Sequence, residues 1–377
     1  MADLPVRSFW CVMASAGSAN LLHVLETLAI AALGGIGFAL AGFPAGLIAG
    51  SMLAVAVAAL AGRPMLVPVP VARVSFVLIG ILLGAVITPE LVRGVARWPL
   101  SIALLVAAAL LMIGLTACYL RFVHRWDAGS ALMGASPGSL AQVMALSTEL
   151  GLDVRAIAIV QTVRVVLLTV GLPAGLAVFG LTAAPSLPAR IGTSPDLAEL
   201  AILVVVSTLA GLAFMWIRFP GGLLFGAMAG SGALYGTGLI HTAMPWWIGA
   251  AGVILLGAIA GARFTNTRPR MLLRYLGAAF GSFATSIAVA SGFVVLVTTL
   301  LPLRVADAVV AFSPGAQDTM MVLALTLHLD PVFVGAHHVV RFVVVSVTVP
   351  LLVRAFVKPP PPDQKGWRPP RHGTFED

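Results

Sequence analysis

The chain has 377 residues, 60% of them hydrophobic and only 10% charged, with a formal net charge of +8. A soluble domain carries about 25% charged residues, so a soluble core cannot explain this composition, and most of the chain must face lipid or other membrane helices. The positive balance is no nucleic-acid signal: the basic residues are almost all Arg, in short connectors and the C-terminal tail, as in cytoplasmic loops of membrane proteins. Cys11 and Cys118 are too few for a disulfide framework or a metal cluster.

Residues 1–20 form an N-terminal segment without a convincing cleavable signal, so the first spans are expected to direct insertion. A first span is predicted over 21–41, with His23 and Glu26 near its start. Phe43-Pro44-Ala45-Gly46 opens a second, Gly- and Ala-rich segment to Ala61. A third covers 71–88 and contains Leu82-Leu83-Gly84-Ala85; a fourth covers 99–120. Ser136-Pro137-Gly138 then interrupts an apolar run, and a long helix carrying Arg164 is predicted over 154–181. Residues 182–195, with Pro, Ser and Gly, read as a linker.

The same order then returns. Phe219-Pro220-Gly221-Gly222 opens a segment to Gly238, Leu255-Leu256-Gly257-Ala258 lies in a span over 246–263, and another span covers 275–301. Ser313-Pro314-Gly315 and an Arg341-bearing helix over 331–356 follow. Residues 358–377, with four consecutive prolines, read as a disordered cytoplasmic tail. At an offset of 177, Met144, Leu146, Leu150, Leu152-Asp153, Val163-Arg164 and Pro173 fall on Met321, Leu323, Leu327, Leu329-Asp330, Val340-Arg341 and Pro350.

The expected fold is therefore an all-α polytopic membrane protein of two homologous repeats, 21–181 and 196–357. Each has about five spans plus a Pro-Gly-broken helix, for roughly ten to twelve crossings in all. Repeats can stack merely to bury area, but matched interrupted helices in two membrane halves point to a transporter and its binding site. If each Pro-Gly segment dips in and returns on one side, Arg63, Arg73, Arg121, Arg125, Arg218, the Arg268–Arg274 loop and the tail all fall inside. Only Arg93, Arg97, Arg190 and Arg304 are left outside. Each repeat then crosses an odd number of times, so the two have inverted topology. A broken helix that does cross would change that parity.

Pro removes a backbone donor and clashes with the preceding turn, while Gly loosens the chain. A Ser-Pro-Gly inside an apolar run frees backbone groups that a bilayer tolerates only where they are buried in protein or line a wet cavity. The helix after each break starts with free N–H groups and suits an anion. Candidate substrate-binding residues are therefore Ser136, Pro137, Gly138 and Gln142 in the first copy, and Ser313, Pro314, Gly315 and Gln317 in the second. Arg164 and Arg341 lie near mid-membrane depth, where a cation is costly unless paired or hydrated. Arg164 and Arg341 are therefore substrate-binding candidates too, with Gln161, which shares a helical face with Arg164 as His338 does with Arg341. A structural pairing of either Arg, to a carboxylate or to carbonyls of the broken helix, is the alternative. Asp318, His337 and His338 have no ionisable counterparts in the first copy and are candidates for ion or proton coupling. Asp153 and Asp330 read as N-caps. No metal-ligand spacing, Walker motif or nucleophile elbow is present, so no cofactor and no enzymatic role is expected.

The motifs Gly134-Ala135-Ser136-Pro137-Gly138 leading to Arg164 and Ala311-Phe312-Ser313-Pro314-Gly315 leading to Arg341, with the Phe-Pro-(Ala/Gly)-Gly openings, resemble the bacterial AbrB membrane protein family. That family is distinct from the small DNA-binding regulator of the same name. The resemblance implies a duplicated inner-membrane protein, of a kind labelled both as regulator of gene expression and as ammonia monooxygenase. The residues themselves favour a secondary transporter or exporter of a small anionic or amphiphilic solute. An inner-membrane sensor acting indirectly on gene expression is the second reading, and a membrane monooxygenase the third. Expected partners are the lipid bilayer and a small-molecule solute, with a homo-oligomer open and no nucleic acid. The expected location is the bacterial inner membrane, as a multi-pass protein.

Overall fold

In a computed structural model of the chain, residues 18–85, 98–137, 140–181, 196–219, 221–242 and 244–356 are described. The linker over 182–195, the tail and Gly138 lie outside them. Every regular element among the described residues is a helix. In order these are α1 (Ser18–Leu40), α2 (Gly46–Leu60), α3 (Val69–Gly84), α4 (Pro99–Phe122), α5 (Ala128–Ala135), α6 (Leu140–Glu149) and α7 (Val154–Val178). Then come α8 (Leu197–Trp216), α9 (Gly222–Gly236), α10 (Trp246–Ala262), α11 (Pro269–Leu300), α12 (Val305–Phe312), α13 (Gln317–Thr326) and α14 (Pro331–Phe356).

Six of them, α1, α4, α7, α8, α11 and α14, contain stretches long and apolar enough to cross a membrane, as in a multi-pass membrane protein. Helices α2, α3 and α10 are apolar but shorter, so the expected ten to twelve crossings are reached only by adding short helices to these six. Helix α11 starts at Pro269, six residues before the predicted span. Pro269 suits the first helical position, and Arg270 and Arg274 are compatible with helix, so the helix runs on past the apolar stretch that marks the span. At 32 residues it is about 48 Å long, more than the hydrocarbon thickness of about 30 Å.

Helix borders follow local chemistry. Asp127, Asp153 and Asp196 cap α5, α7 and α8 by accepting from the N–H groups of Ser130, Ala156 and Ala198. Asp330 caps α14, its Oδ1 accepting from Val332 and Phe333 N–H at 2.9 Å each. Burial raises the Asp330 carboxyl above its ordinary pKa, and those two N–H groups act against the rise. Both capping expectations, for Asp153 and Asp330, therefore hold. Asp330→Ala should cost about 1 kcal/mol of stability, read as a lower midpoint of thermal unfolding in detergent micelles. An unchanged midpoint would remove the cap from the energetics.

Several helix bounds coincide under the same shift. Helix α12 spans the positions of α5 moved by 177, α13 those of α6, and α9 those of α2 moved by 176. The αL residue before α2 is Ala45 (φ 53°), and the one before α9 is Gly221 (φ 64°).

The helices pack as two bundles, and each draws on both halves of the chain. One contains α1, α2, α3, α8, α9 and α10; the other contains α4 to α7 and α11 to α14. In the first, Ser75 Oγ donates to Gly252 O at 2.9 Å and Ser231 Oγ to Ile81 O at 2.8 Å, tying α3 to α10 and α9. In the second, the Thr116 and Ser286 hydroxyls meet at 3.0 Å between α4 and α11. The main contacts between bundles are α3 with α13 and α2 with α7. Leu33, Leu40, Leu209 and Trp216 are exposed on outer helices, where hydrocarbon would cover them.

Candidate functional site

Each broken helix poses the same problem. Helices α5 and α12 stop inside the protein, at Ser136 and Ser313, both in extended conformation. Their last carbonyls have no helical partner and no bulk water in a bilayer. The long helix that follows supplies donors from two positions three residues apart. From α7, Gln161 Nε2 donates to Met133 O at 2.8 Å, and Arg164 Nη2 to Ser136 O at 3.2 Å. From α14, His338 Nε2 donates to Val310 O at 3.1 Å, and Arg341 Nη1 to Ser313 O. A cation at a helix C-terminus also meets the negative end of the dipole. Of the two structural pairings open from the sequence, the carbonyls of the broken helix are the ones found.

Arg341 does more than its counterpart. Its Nη2 also donates to Gly315 O at 3.1 Å and to His338 Nδ1. His338 therefore donates from Nε2 and accepts at Nδ1, which defines a neutral imidazole. A proton added at Nδ1 would set two donors against each other. Ser313 Oγ turns back to Val309 O at 2.6 Å, whereas the buried Ser136 Oγ has no partner among the described residues.

Arg164 and Arg341 are 5% and 2% exposed, and neither forms an ion pair with a carboxylate among the described residues. Both line one cavity of about 400 Å³, and the two cations repel each other across it. The Nε of Arg164 is buried without a hydrogen-bond partner among the described residues. The cavity lies where the two bundles meet. From one bundle come Phe76, Met215, Arg263 and the start of α9 at Gly221–Leu224; from the other come Arg164, Arg341, Phe342 and the start of α13 at Ala316–Asp318. Neither Gly221 nor Ala316 caps its helix with a side chain, so two positive helix ends open here. Gly221 has a positive φ, as Ala45 has at the matching position before α2, and a Cβ on it would stand 2.6 Å from Gln317 Nε2, the far end of a flexible side chain. Asp318 is the acidic residue in the wall.

The described structure thus brings Pro137, Gln161, Arg164, Gly315, Gln317, Asp318, His338 and Arg341 into one cavity wall. Ser136, Ser313 and Pro314 lie outside that wall, the two serines offering their carbonyls to the arginines. His337 is not brought there. It is fully buried among the rings of Trp98, Phe312 and Phe333. Its Nδ1 donates to Phe333 O at 2.8 Å, and its Nε2 meets Ser101 Oγ on α4 at 2.9 Å. Adjacent helical positions differ by about 100° in direction, so when His338 faces the cavity His337 faces α4. Gly138 and the side chain of Gln142 lie outside the described residues.

The family described as "Transition state regulatory protein AbrB" matches residues 47–357. The chain belongs to the AbrB family. It is 24% identical over 358 residues to "Uncharacterized protein YhjN" of Bacillus subtilis (strain 168), covering 89% of this chain and 93% of that one. It is 25% identical over 330 residues to "Putative regulator AbrB" of Escherichia coli (strain K12), covering 85% and 92%. No solved structure matches it.

In this AbrB family member, Phe76, Val165, Met215, Arg263 and Phe342 are wall residues that stand outside the sequence motifs. Val165 and Phe342 each follow a cavity arginine directly, and nothing in their apolar surroundings marks them. The Phe219-Pro220-Gly221-Gly222 motif was a usable signal, because a Gly-Gly at a helix start lets another segment approach the backbone closely.

Proposed function

We propose that this AbrB family protein is a secondary transporter or exporter of a small anionic or amphiphilic solute in the bacterial inner membrane. The observation that carries the reading is the pair of buried guanidiniums, Arg164 and Arg341, facing one cavity without a carboxylate partner among the described residues. A buried cation is costly unless compensated, and here neutral carbonyls compensate it only in part. An anion in the cavity would complete the balance, helped by the free starts of α9 and α13. The apolar wall, with Phe76, Val165, Leu223, Leu224 and Phe342, suits an organic body. The cavity is within the ordinary range for a small ligand, about 300–1,000 Å³.

In this reading the chain is a duplicated unit with inverted halves, 21–181 and 196–357, and the bundles move against each other around the cavity they share. The thin contact between bundles, mainly α3 with α13 and α2 with α7, supports that motion, as do the matched helix bounds and matched carbonyl contacts. The test is uptake into proteoliposomes of size-matched organic anions, cations and neutral solutes. Anions should enter faster than into protein-free vesicles, with cations and neutral solutes at background. Flux confined to cations would sink the reading.

A regulatory reading has one observation in its favour, the names of the family and of the Escherichia coli relative. It would act indirectly, through a partner at the tail. Removing residues 358–377 should abolish a regulatory phenotype that depends on the tail and leave transport largely intact.

A further inference from the structure

We infer that Asp318 is a built-in competitor of the transported anion, so that a small carboxylate with an apolar body binds together with one proton taken up by Asp318. This rests on the anion-transport reading above and specifies its solute class and its coupling. Asp318 stands in the first turn of α13 and lines the cavity. No hydrogen bond or ion pair involves its carboxylate among the described residues. When ionised it occupies the field an incoming anion needs: the positive end of α13 and the cationic surroundings of Arg164, Arg263 and Arg341. Two carboxylates in one small site disfavour each other's ionised forms. A carboxylate solute can therefore enter with Asp318 protonated, or must overcome the repulsion.

The groups that could take the proton instead are few. Facing the same cavity are Arg341 and His338 from α14, Arg164 from α7 and Arg263 at the end of α10, while α3, packed on α13, brings Phe76. The arginines are cationic throughout. His338 is held neutral by donating to Val310 O and accepting from Arg341, and His337 faces α4 rather than the cavity. Shifted by 177, Asp318 falls on Ala141, so the pair of breaks holds one acid and the coupling is one proton per anion. The guanidinium fork matches a carboxylate in shape, and the remaining wall of Phe76, Val165, Met215 and Phe342 suits an alkyl or aryl body better than a hydrated phosphate.

Purified full-length protein in detergent, titrated by calorimetry with acetate, hexanoate, benzoate and inorganic phosphate between about pH 5 and 8, tests this. Wild type should bind hexanoate or benzoate more tightly than acetate or phosphate. Uptake of one proton per anion should appear as a dependence of the heat on buffer ionisation. Where Asp318 must gain that proton, affinity should fall about tenfold per pH unit. Asp318→Asn should bind with no proton uptake and no such slope, Asp318→Glu should keep both, and Arg164→Ala should lose binding. A wild-type slope retained in Asp318→Asn overturns the inference while leaving the anion reading intact. Binding of phosphate but of no carboxylate overturns the solute class. If no anion binds wild type, the anion reading falls and this inference with it.

Discussion

Arg341→Ala should reduce carboxylate flux into proteoliposomes to the protein-free rate, the largest effect expected of any single side chain in the cavity. Removing the buried charged partner of an anion costs about 2–5 kcal/mol, or roughly thirtyfold to more than a thousandfold in affinity. The same change weakens the cap of α12: the Gly315 carbonyl loses its side-chain donor, the Ser313 carbonyl keeps only the Gly315 N–H, and His338 Nδ1 loses its partner. Each such loss carries about 1–3 kcal/mol, partly offset by removing a cation that Arg164 repels. Arg341→Lys separates the two roles. A lysine keeps the charge but cannot span two carbonyls with a planar fork, so it should retain some binding and recover only part of the stability. Arg164→Ala should cost less stability, since Arg164 caps a single carbonyl. A folded Arg341→Ala protein with wild-type flux would remove Arg341 from the site.

The second large effect is expected outside the cavity wall. Gly84→Val should lower the unfolding midpoint in detergent sharply, because a Cβ on Gly84 would stand 2.5 Å from Met228 O, 2.6 Å from Ser231 Cβ and 2.7 Å from Gly232 N. These are mostly backbone atoms of α9, so the clash is relieved only by parting α3 from α9. Overpacking of this kind costs about 1–3 kcal/mol and occasionally more. Parting the helices would also break the Ser231 to Ile81 O hydrogen bond, at about 1 kcal/mol. Gly80, one turn earlier, meets Leu224 O and Ala227 Cβ at 2.5 and 2.6 Å, so the two form a small-residue seam of the kind that lets membrane helices approach closely. Gly114→Ala is the control. A Cβ there meets nothing within 4 Å, and the midpoint should hold or rise. Equal behaviour of the two variants would show that the seam does not hold the bundle.

Much of the local structure could be read directly. The breaks at Ser136-Pro137 and Ser313-Pro314, the Asp caps of α7 and α14, and the shared helical faces of Gln161 with Arg164 and of His338 with Arg341 depend on residues a few positions apart. The helix-end carbonyls that these four side chains donate to lie 28 residues earlier. Helix α11 was placed with its start too late, because the change from apolar to charged residues marks where hydrocarbon ends rather than where a helix ends. His337 was grouped with His338 by adjacency, and helical geometry turned the two to opposite neighbours.

The sequence alone determined where this chain turns apolar, where the two Pro-Gly breaks interrupt it, and which two arginines the lipid could not accommodate unpaired. Those outcomes follow from transfer of groups out of water and from hydrogen bonds within one turn, so neighbouring residues suffice. Which helices meet was decided only by tertiary packing. A helix apolar on all sides has no periodic stripe to show which face meets protein and which meets lipid. The start of α9, Phe76, Met215 and Arg263 therefore share a cavity wall with the two arginines through packing that includes backbone approaches such as those at Gly80 and Gly84. Close packing at small residues, rather than hydrophobicity, chose those partners.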